Sequence, residues 1–534
     1  MPRATLIPLI LIIATALALG GVVGNDFSLW DDPGTVWNNP DLNPPTWSGV
    51  LRYWREPAHG LYIPVTYSVW AAIAAMATLE RPDNYGIMLH SWPFHLANLL
   101  AHVAAVLVVY AILRQLVAKQ WPACLGALLY GLHPVQVEAV AWVSGLKDVL
   151  AGMLGLVALW QYLRFAKTAA APARWIHYSL ATLALMLALL AKPSAMVVPL
   201  MALAIDALVL RRGLREMAMT LAPWFALAAA AALVAKLVQP AIIVPDTPLW
   251  ARPLIAGDAL AFYLYKLTFP LKLAIDYGRR PPVVMQHWWL YVTWLVPALL
   301  AIVLILRRRR APLLLLAGCL FVAGVLPMLG WTRFLFQMYS TTADHYLYLA
   351  MLGPALALAW LLAWQDERRT YVVAILVLAA LGIRTILQAR YWSDDYALFS
   401  RAAEITPNSF PAQTNLGNLY YRDGNLEAAE RHFRAAVAAR DDLVDARNNL
   451  ANVLALQGRV DEAIEQIRAE LRIRERQPPE VAGDYAETYL HVAQLLMQRG
   501  RYTEAADELQ RLLRLHPQHE KGRELLEAAG GRMQ

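Results

Sequence analysis

Residues 16–33 read Ala16-Leu17-Ala18-Leu19-Gly20-Gly21-Val22-Val23-Gly24-Asn25-Asp26-Phe27-Ser28-Leu29-Trp30-Asp31-Asp32-Pro33, an apolar run that gives way to two adjacent carboxylates. Arg3 and the small residues of this run mimic a secretory signal. The run reaches Val23 and many further apolar segments follow, so it is read as a first, retained span. Asp31 and Asp32 then lie at the lip of a hydrophobic body. Charge is costly inside such a body, and carboxylates held at its edge are candidates for chemistry.

Working outward, 58% of the 534 residues are hydrophobic and 16% are charged, with a mean hydropathy of +0.40. A soluble chain carries about a quarter charged residues, so this is a polytopic membrane protein with a soluble part attached. Residues 389–534 hold 19 Lys+Arg against 23 Asp+Glu, and residues 1–388 hold 28 against 17. The basic excess therefore belongs to the membrane half. It reflects loop charges and an anionic ligand, not a nucleic-acid surface. The two cysteines, Cys124 and Cys319, lie in apolar segments and form no disulfide framework.

The pattern gives about eleven spans, near 4–24, 87–113, 121–134, 145–165, 175–191, 195–210, 218–238, 288–306, 311–330, 346–364 and 371–388. With eleven, five basic clusters share one side: Arg114 with Lys119; Arg164, Lys167 and Arg174; Arg211, Arg212 and Arg215; Arg307 to Arg310; Arg368 with Arg369. Positive charge in short loops marks that side as cytoplasmic. Asp31, Asp32 and everything after residue 388 are then extracytoplasmic. Residues 253–270, with Lys266 inside them, and residues 61–79 are read as outer-side helices, because one more span would invert the charge pattern.

The tail repeats itself. Gly417, Tyr420, Gly424, Ala429, Phe433 and Ala436 match the tetratricopeptide pattern. Ala451, Gly458 and Ala463 follow 34 residues later, and Ala493, Gly500, Ala505 and Pro517 after a further 42, with an insertion around Gln477-Pro478-Pro479-Glu480. A linker helix over 389–409 and about three repeats over 410–534 are expected, an α-solenoid that binds a peptide or protein or serves as a spacer.

Several outer-side residues carry weight. One of Asp31 and Asp32 suits a general base, its neighbour raising its pKa, and an Asp-Asp-Pro turn is the structural alternative. His133 through Glu138 to Lys147 and Asp148 bridges two spans, and its lysine either binds phosphate or forms an ion pair. Lys192, before Pro193, binds a lipid phosphate or reaches for headgroups. Arg333 and the run Asp344-His345-Tyr346 suit a phosphate leaving group. The histidines lack metal-ligand spacing, so no zinc site is expected and a divalent metal stays open.

Trp30-Asp31-Asp32-Pro33 with Asn39-Pro40, Tyr62 to Tyr67, His95 to Leu100, Leu132-His133-Pro134, Val137 to Trp142, Lys147-Asp148-Val149-Leu150, Lys192-Pro193 and Ala343 to Tyr348 together resemble the family of transmembrane and tetratricopeptide-repeat proteins. Animal members of that family are O-mannosyltransferases of the GT-C superfamily, and the chain looks closer to bacterial relatives. The resemblance implies an all-α GT-C membrane body in a bacterial cytoplasmic membrane. It also implies transfer of a sugar from a polyprenyl-phosphate donor to a protein hydroxyl outside the cytoplasm, with the repeats recruiting the acceptor.

By position, the family's catalytic acid carries over to Asp32 or Asp31, with Asp32 slightly preferred. Lys192, Arg333, Lys147 and His345 would hold the donor phosphate, and His133, Glu138, Asp148, Asp344 and Tyr346 would line the substrate site. Two departures stand out: Gly145-Leu146 where relatives carry Glu-Arg, and His345 where they carry arginine. A scaffold for assembling envelope polysaccharide or pili is the competing reading. A transporter is disfavoured, because Lys236, Asp206 and Arg384 lie near span ends.

Overall fold

The computed structural model describes residues 3–83, 86–239, 247–477 and 482–532. Among them the regular structure is entirely helical, with three isolated bridges and no strand. The chain falls into two compact units, residues 1–398 and 399–534, and the boundary lies within helix Asp395–Ile405.

In the first unit seven helices are long and apolar enough to cross a membrane, or nine when each of two bent pairs counts as one span. The bent pairs are Gln120–Leu132 with Pro134–Ala141 and Asp344–Ala350 with Leu352–Gln365. The expected eleven is reached only by adding the shorter apolar helices Leu290–Leu306 and Pro312–Met328, so the count of eleven is not a property of the described helices themselves. Helix Arg252–Thr268 forms over the doubtful stretch, and Lys266 is buried there, lying 4.4 Å over the Tyr277 ring and donating to the Lys272 carbonyl. Helix Pro64–Ala77 spans only about 21 Å at 1.5 Å per residue, too short for a bilayer core.

Four of the five basic clusters meet at one end of this unit. Lys119 pairs with Asp366 at 2.8 Å, Lys167 donates to the Gln115 carbonyl at 2.5 Å, and Arg174 and Arg212 share Glu216 at 2.7 and 2.8 Å.

The centre is helix Leu146–Lys167, packed between Trp92–Val117 and Ala171–Ala191. Two features fix its N-terminal end. A Cβ on Gly152 would run into the Tyr348 ring, so only glycine lets the segment after Asp344 lie directly on this helix. Asn98 Nδ2 donates to the carbonyls of Trp142 at 2.6 Å and Val140 at 3.3 Å, satisfying backbone freed where the chain bends into the helix.

The second unit stacks the helix pairs Phe410–Arg422 with Leu426–Ala439, Val444–Leu456 with Val460–Arg474, and Ala486–Gln498 with Tyr502–Leu515, followed by Glu520–Gly531. Gly424, Gly458 and Gly500 turn each pair at φ of 76°, 79° and 73°, a region that glycine enters without strain. Ala429, Phe433, Ala463, Ala493 and Ala505 lie in its core. Most of the expected insertion, Pro478-Pro479-Glu480, falls outside the described residues.

Candidate active site

The segment after the first span is pinned by its own polar groups. Ser28 N–H donates to Asp32 Oδ2 at 2.9 Å, and Ser144 donates to Asp32 Oδ1 through its N–H at 3.0 Å and its hydroxyl at 2.6 Å. Asp32 is therefore fully enclosed, with both carboxylate oxygens occupied. Burial raises its pKa to about 7, opposed by those hydrogen bonds, and the neighbouring Asp31 adds the smallest share. The neighbour does raise the pKa, as adjacency implies, but desolvation contributes most.

Asp31, one residue earlier, points the other way. Its side chain is 48% exposed and lines a cavity of about 460 Å³. Lys147 Nζ stands 3.4 Å from Asp31 Oδ2 and 4.6 Å over the Trp142 ring, which walls the same cavity. Asp32 holds the loop, and Asp31 is the carboxylate that faces the cavity.

Lys192 enters the cavity because Pro193 disfavours helix at the residue before it. The backbone there is extended, at φ −158° and ψ 130°, between two helices. Thr66 Oγ1 donates to the Ala191 carbonyl at 2.9 Å and anchors the break. Lys192 Nζ reaches both oxygens of Asp148, at 2.6 and 2.7 Å. An ammonium has three N–H groups, so one remains for a ligand. Both lysines are thus ion-paired and cavity-facing at once; for Lys147 the ion pair was one of the two alternatives read from sequence, and for Lys192 the pairing with Asp148 was not expected.

Glu138 organises the opposite wall. Its Oε2 accepts from the N–H of Asp344 at 2.9 Å and of His345 at 3.2 Å, and its Oε1 lies 2.7 Å from His345 Nδ1. This sets His345 and Tyr346 against the cavity, with Lys192 Nζ 5.8 Å over the Tyr346 ring.

The structure brings Asp31, Lys147, Lys192, His345 and Tyr346 together around one cavity. The other expected residues do not line it. Glu138 acts through His345, and Asp148 backs Lys192. Asp344 is buried and accepts from the Tyr277 hydroxyl at 2.8 Å. His133 is also buried: its Nε2 lies 3.1 Å from the Leu267 carbonyl, and its Nδ1 accepts from Val135 N–H. Arg333 is exposed beside Phe334, and Phe334 rather than Arg333 lines the wall.

Sequence reasoning gave no site role to Ser144, which holds Asp32, or to Trp142, which carries Lys147. His59, one of the ionisable residues that the charge pattern places on the same side as Asp31, lines the cavity at φ 50°. Ser144 and Trp142 adjoin the candidate run 133–148 and could have been singled out by that proximity. Gly145 also has a structural reason, since a Cβ there would strike the Ala139 carbonyl.

Among the described residues no group of three or more His, Cys, Asp or Glu side chains is arranged to hold a metal ion. Asp31 is the one carboxylate on a wall that also carries two lysines, a donor set that does not fit a divalent cation.

A tetratricopeptide-repeat family model matches residues 414–478 and 480–520. The chain is 28% identical over 278 residues to the protein O-mannosyl-transferase Tmtc2 of Drosophila melanogaster, covering 49% of this chain and 28% of that protein. It is 21% identical over 543 residues to human protein O-mannosyl-transferase TMTC3, covering 90% of this chain and 57% of that one. The chain thus spans about half or less of the length of these curated relatives. Among solved structures, ArnT from Cupriavidus metallidurans bound to undecaprenyl phosphate aligns over 89% of this chain and 81% of its own. Its identity is 14% and its TM-score 0.34, a score too low to define a shared fold.

Proposed function

The chain is a homologue of the tetratricopeptide-repeat protein O-mannosyl-transferases, and on that premise we propose that it is a GT-C-type membrane glycosyltransferase. In this reading it moves a sugar from a polyprenyl-phosphate donor to a protein hydroxyl on the extracytoplasmic face of a bacterial cytoplasmic membrane, and the repeats recruit the acceptor. Mannose, the sugar in the relatives' names, is the first to test.

The carrying observation is Asp31, half exposed in a cavity whose other charged groups are Lys147 and Lys192. Asp31 takes the proton from the acceptor hydroxyl. The freed oxygen attacks the anomeric carbon as the bond from that carbon to the phosphate oxygen breaks. The lipid phosphate leaves with one more negative charge, which the remaining N–H of Lys192 and the Lys147 ammonium stabilise. His345 and Tyr346, set by Glu138, face the sugar. A separate apolar cavity of about 220 Å³, lined by Leu189, Leu190, Pro193, Leu227 and Val234, begins one residue from Lys192 and suits a prenyl tail.

Mass spectrometry of surface proteins from a deletion strain, complemented with wild type or Asp31→Asn, tests this. A hexose on a defined peptide should appear only with wild type. Equal restoration by both would remove Asp31 from the reaction. Loss of envelope assembly with no change in any glycopeptide would favour the scaffold reading.

A further inference from the structure

Helix Leu146–Lys167 has a second built end. Lys147 and Arg164 are 17 residues apart, which is roughly 26 Å along a helix, close to the thickness of a bilayer core. Beside its far end, where Trp92–Val117 also terminates, lies an open cavity of about 510 Å³ walled by Tyr110, Arg114, Gln115, Trp160, Arg164 and Lys167.

Three cations converge there, and none meets a carboxylate among the described residues. Neighbouring cations on the same face do: Lys119 with Asp366 at 2.8 Å, Arg174 with Glu216 at 2.7 Å, and Arg212 with Asp206 at 3.1 Å. Arg114 donates from Nη1 to the Tyr110 hydroxyl at 3.2 Å, while its buried Nε has no partner. The Arg164 guanidinium lies 5.6 Å over the Trp160 ring and is otherwise exposed. Lys167 spends one N–H on the Gln115 carbonyl.

Helix C-termini favour cations, and membrane interfaces favour Trp and Tyr. Those preferences account for the residue types. They do not account for three cations left without acids around one cavity, one of them with an orphaned buried donor, when Lys119, Arg174 and Arg212 nearby are each held by a carboxylate.

We propose that this cavity binds the phosphate headgroup of an anionic phospholipid in the leaflet opposite the Asp31 face. Two guanidinium forks and an ammonium match a phosphodiester, and the flanking rings seat the glycerol at headgroup depth. The site is independent of the proposed transferase chemistry.

Native mass spectrometry of the full chain in detergent, titrated with phosphatidylglycerol, phosphatidylcholine of the same acyl chains and soluble glycerol 3-phosphate, tests it. Wild type should retain phosphatidylglycerol at least tenfold more tightly than phosphatidylcholine. Arg114→Gln/Arg164→Gln should lose that preference, and Arg369→Gln, an exposed charge outside the cavity, should keep it. Equal binding of the two lipids by wild type, or an undiminished preference in the double variant, overturns the proposal. Displacement of phosphatidylglycerol by glycerol 3-phosphate at equal concentration would also overturn it, because the ligand would then be a soluble phosphate ester. Thermal unfolding is followed in parallel. If the double variant does not fold, Arg164→Gln alone carries the test at its exposed position: at least a threefold loss is expected, and no loss overturns the proposal.

Discussion

The two ends of helix Leu146–Lys167 use charge in opposite ways. At the N-terminal end Lys147 faces Asp31 at 3.4 Å, and Lys192 nearby holds both oxygens of Asp148. At the other end Arg114, Arg164 and Lys167 surround a cavity with no carboxylate partner among the described residues. A cation paired inside a cavity is held at one place and can meet charge that develops during a reaction. A set of unpaired cations beside an open cavity awaits an anion that arrives complete. The difference separates an arrangement suited to catalysis from one suited to binding, within one helix.

The largest effect should come from breaking the N-terminal end at its carboxylate. Asp31→Asn keeps the shape and removes the base, so transfer should fall by about 10²–10⁴-fold with the fold intact. Activity within threefold of wild type in a reconstituted assay would return the role to another group.

Next comes Lys192→Met. It leaves Asp148 buried without its partner, which costs about 3–5 kcal/mol. Adding Asp148→Leu should restore thermal stability in detergent but not transfer, because the ammonium is still missing. Recovery of both in the double variant would make the pair purely structural.

How much of this was legible depended on what each residue does. The repeats were readable because Gly424, Gly458 and Gly500 mark the same turn at a measurable period. The basic clusters were readable because charge in short loops is a local signal. The roles of Asp31 and Asp32 were not separable, since adjacent residues share every sequence feature. What distinguishes them is Ser144, 112 positions away, and only folding brings it to Asp32. His133, Glu138 and Asp344 looked like substrate contacts for the same reason. Buried polar residues that hold backbone and polar residues that face a cavity have one composition. The count of eleven rests on Leu290–Leu306 and Pro312–Met328, apolar helices shorter than a straight span, because a hydropathy window reads composition and not helix length.

Asp32 supplies a pH test of that separation. Its folded-state pKa is raised to about 7 from the ordinary 3.8, so the folded chain holds a proton that the unfolded chain releases between those values. Its contribution to stability is therefore largest below pH 4, falls as pH rises to about 7, and is flat above that, at most about 1.4 kcal/mol per pH unit. The Tm difference between wild type and Asp32→Asn should shrink from pH 4 to 7 and then stay constant. A difference that stays flat over this range would mean the carboxylate is charged throughout.

The smallest effect sharpens the comparison most directly, because each end of the helix carries a tryptophan under a cation. Lys147 Nζ stands 4.6 Å over Trp142, which is 3% exposed, and Arg164 stands 5.6 Å over the partly exposed Trp160. A cation–π contact gains strength as water leaves it, from about 0.5–1 kcal/mol when exposed to about 2 kcal/mol when desolvated. Truncating either ring also removes packing, so single substitutions do not isolate the contact. Double-mutant cycles do: Trp142→Leu with Lys147→Met, and Trp160→Leu with Arg164→Met, each read by thermal unfolding in the same detergent. The first coupling should exceed the second by about 1 kcal/mol. Equal couplings would mean that water reaches Lys147 as freely as Arg164, so the burial of Trp142 would not set the two ends of the helix apart.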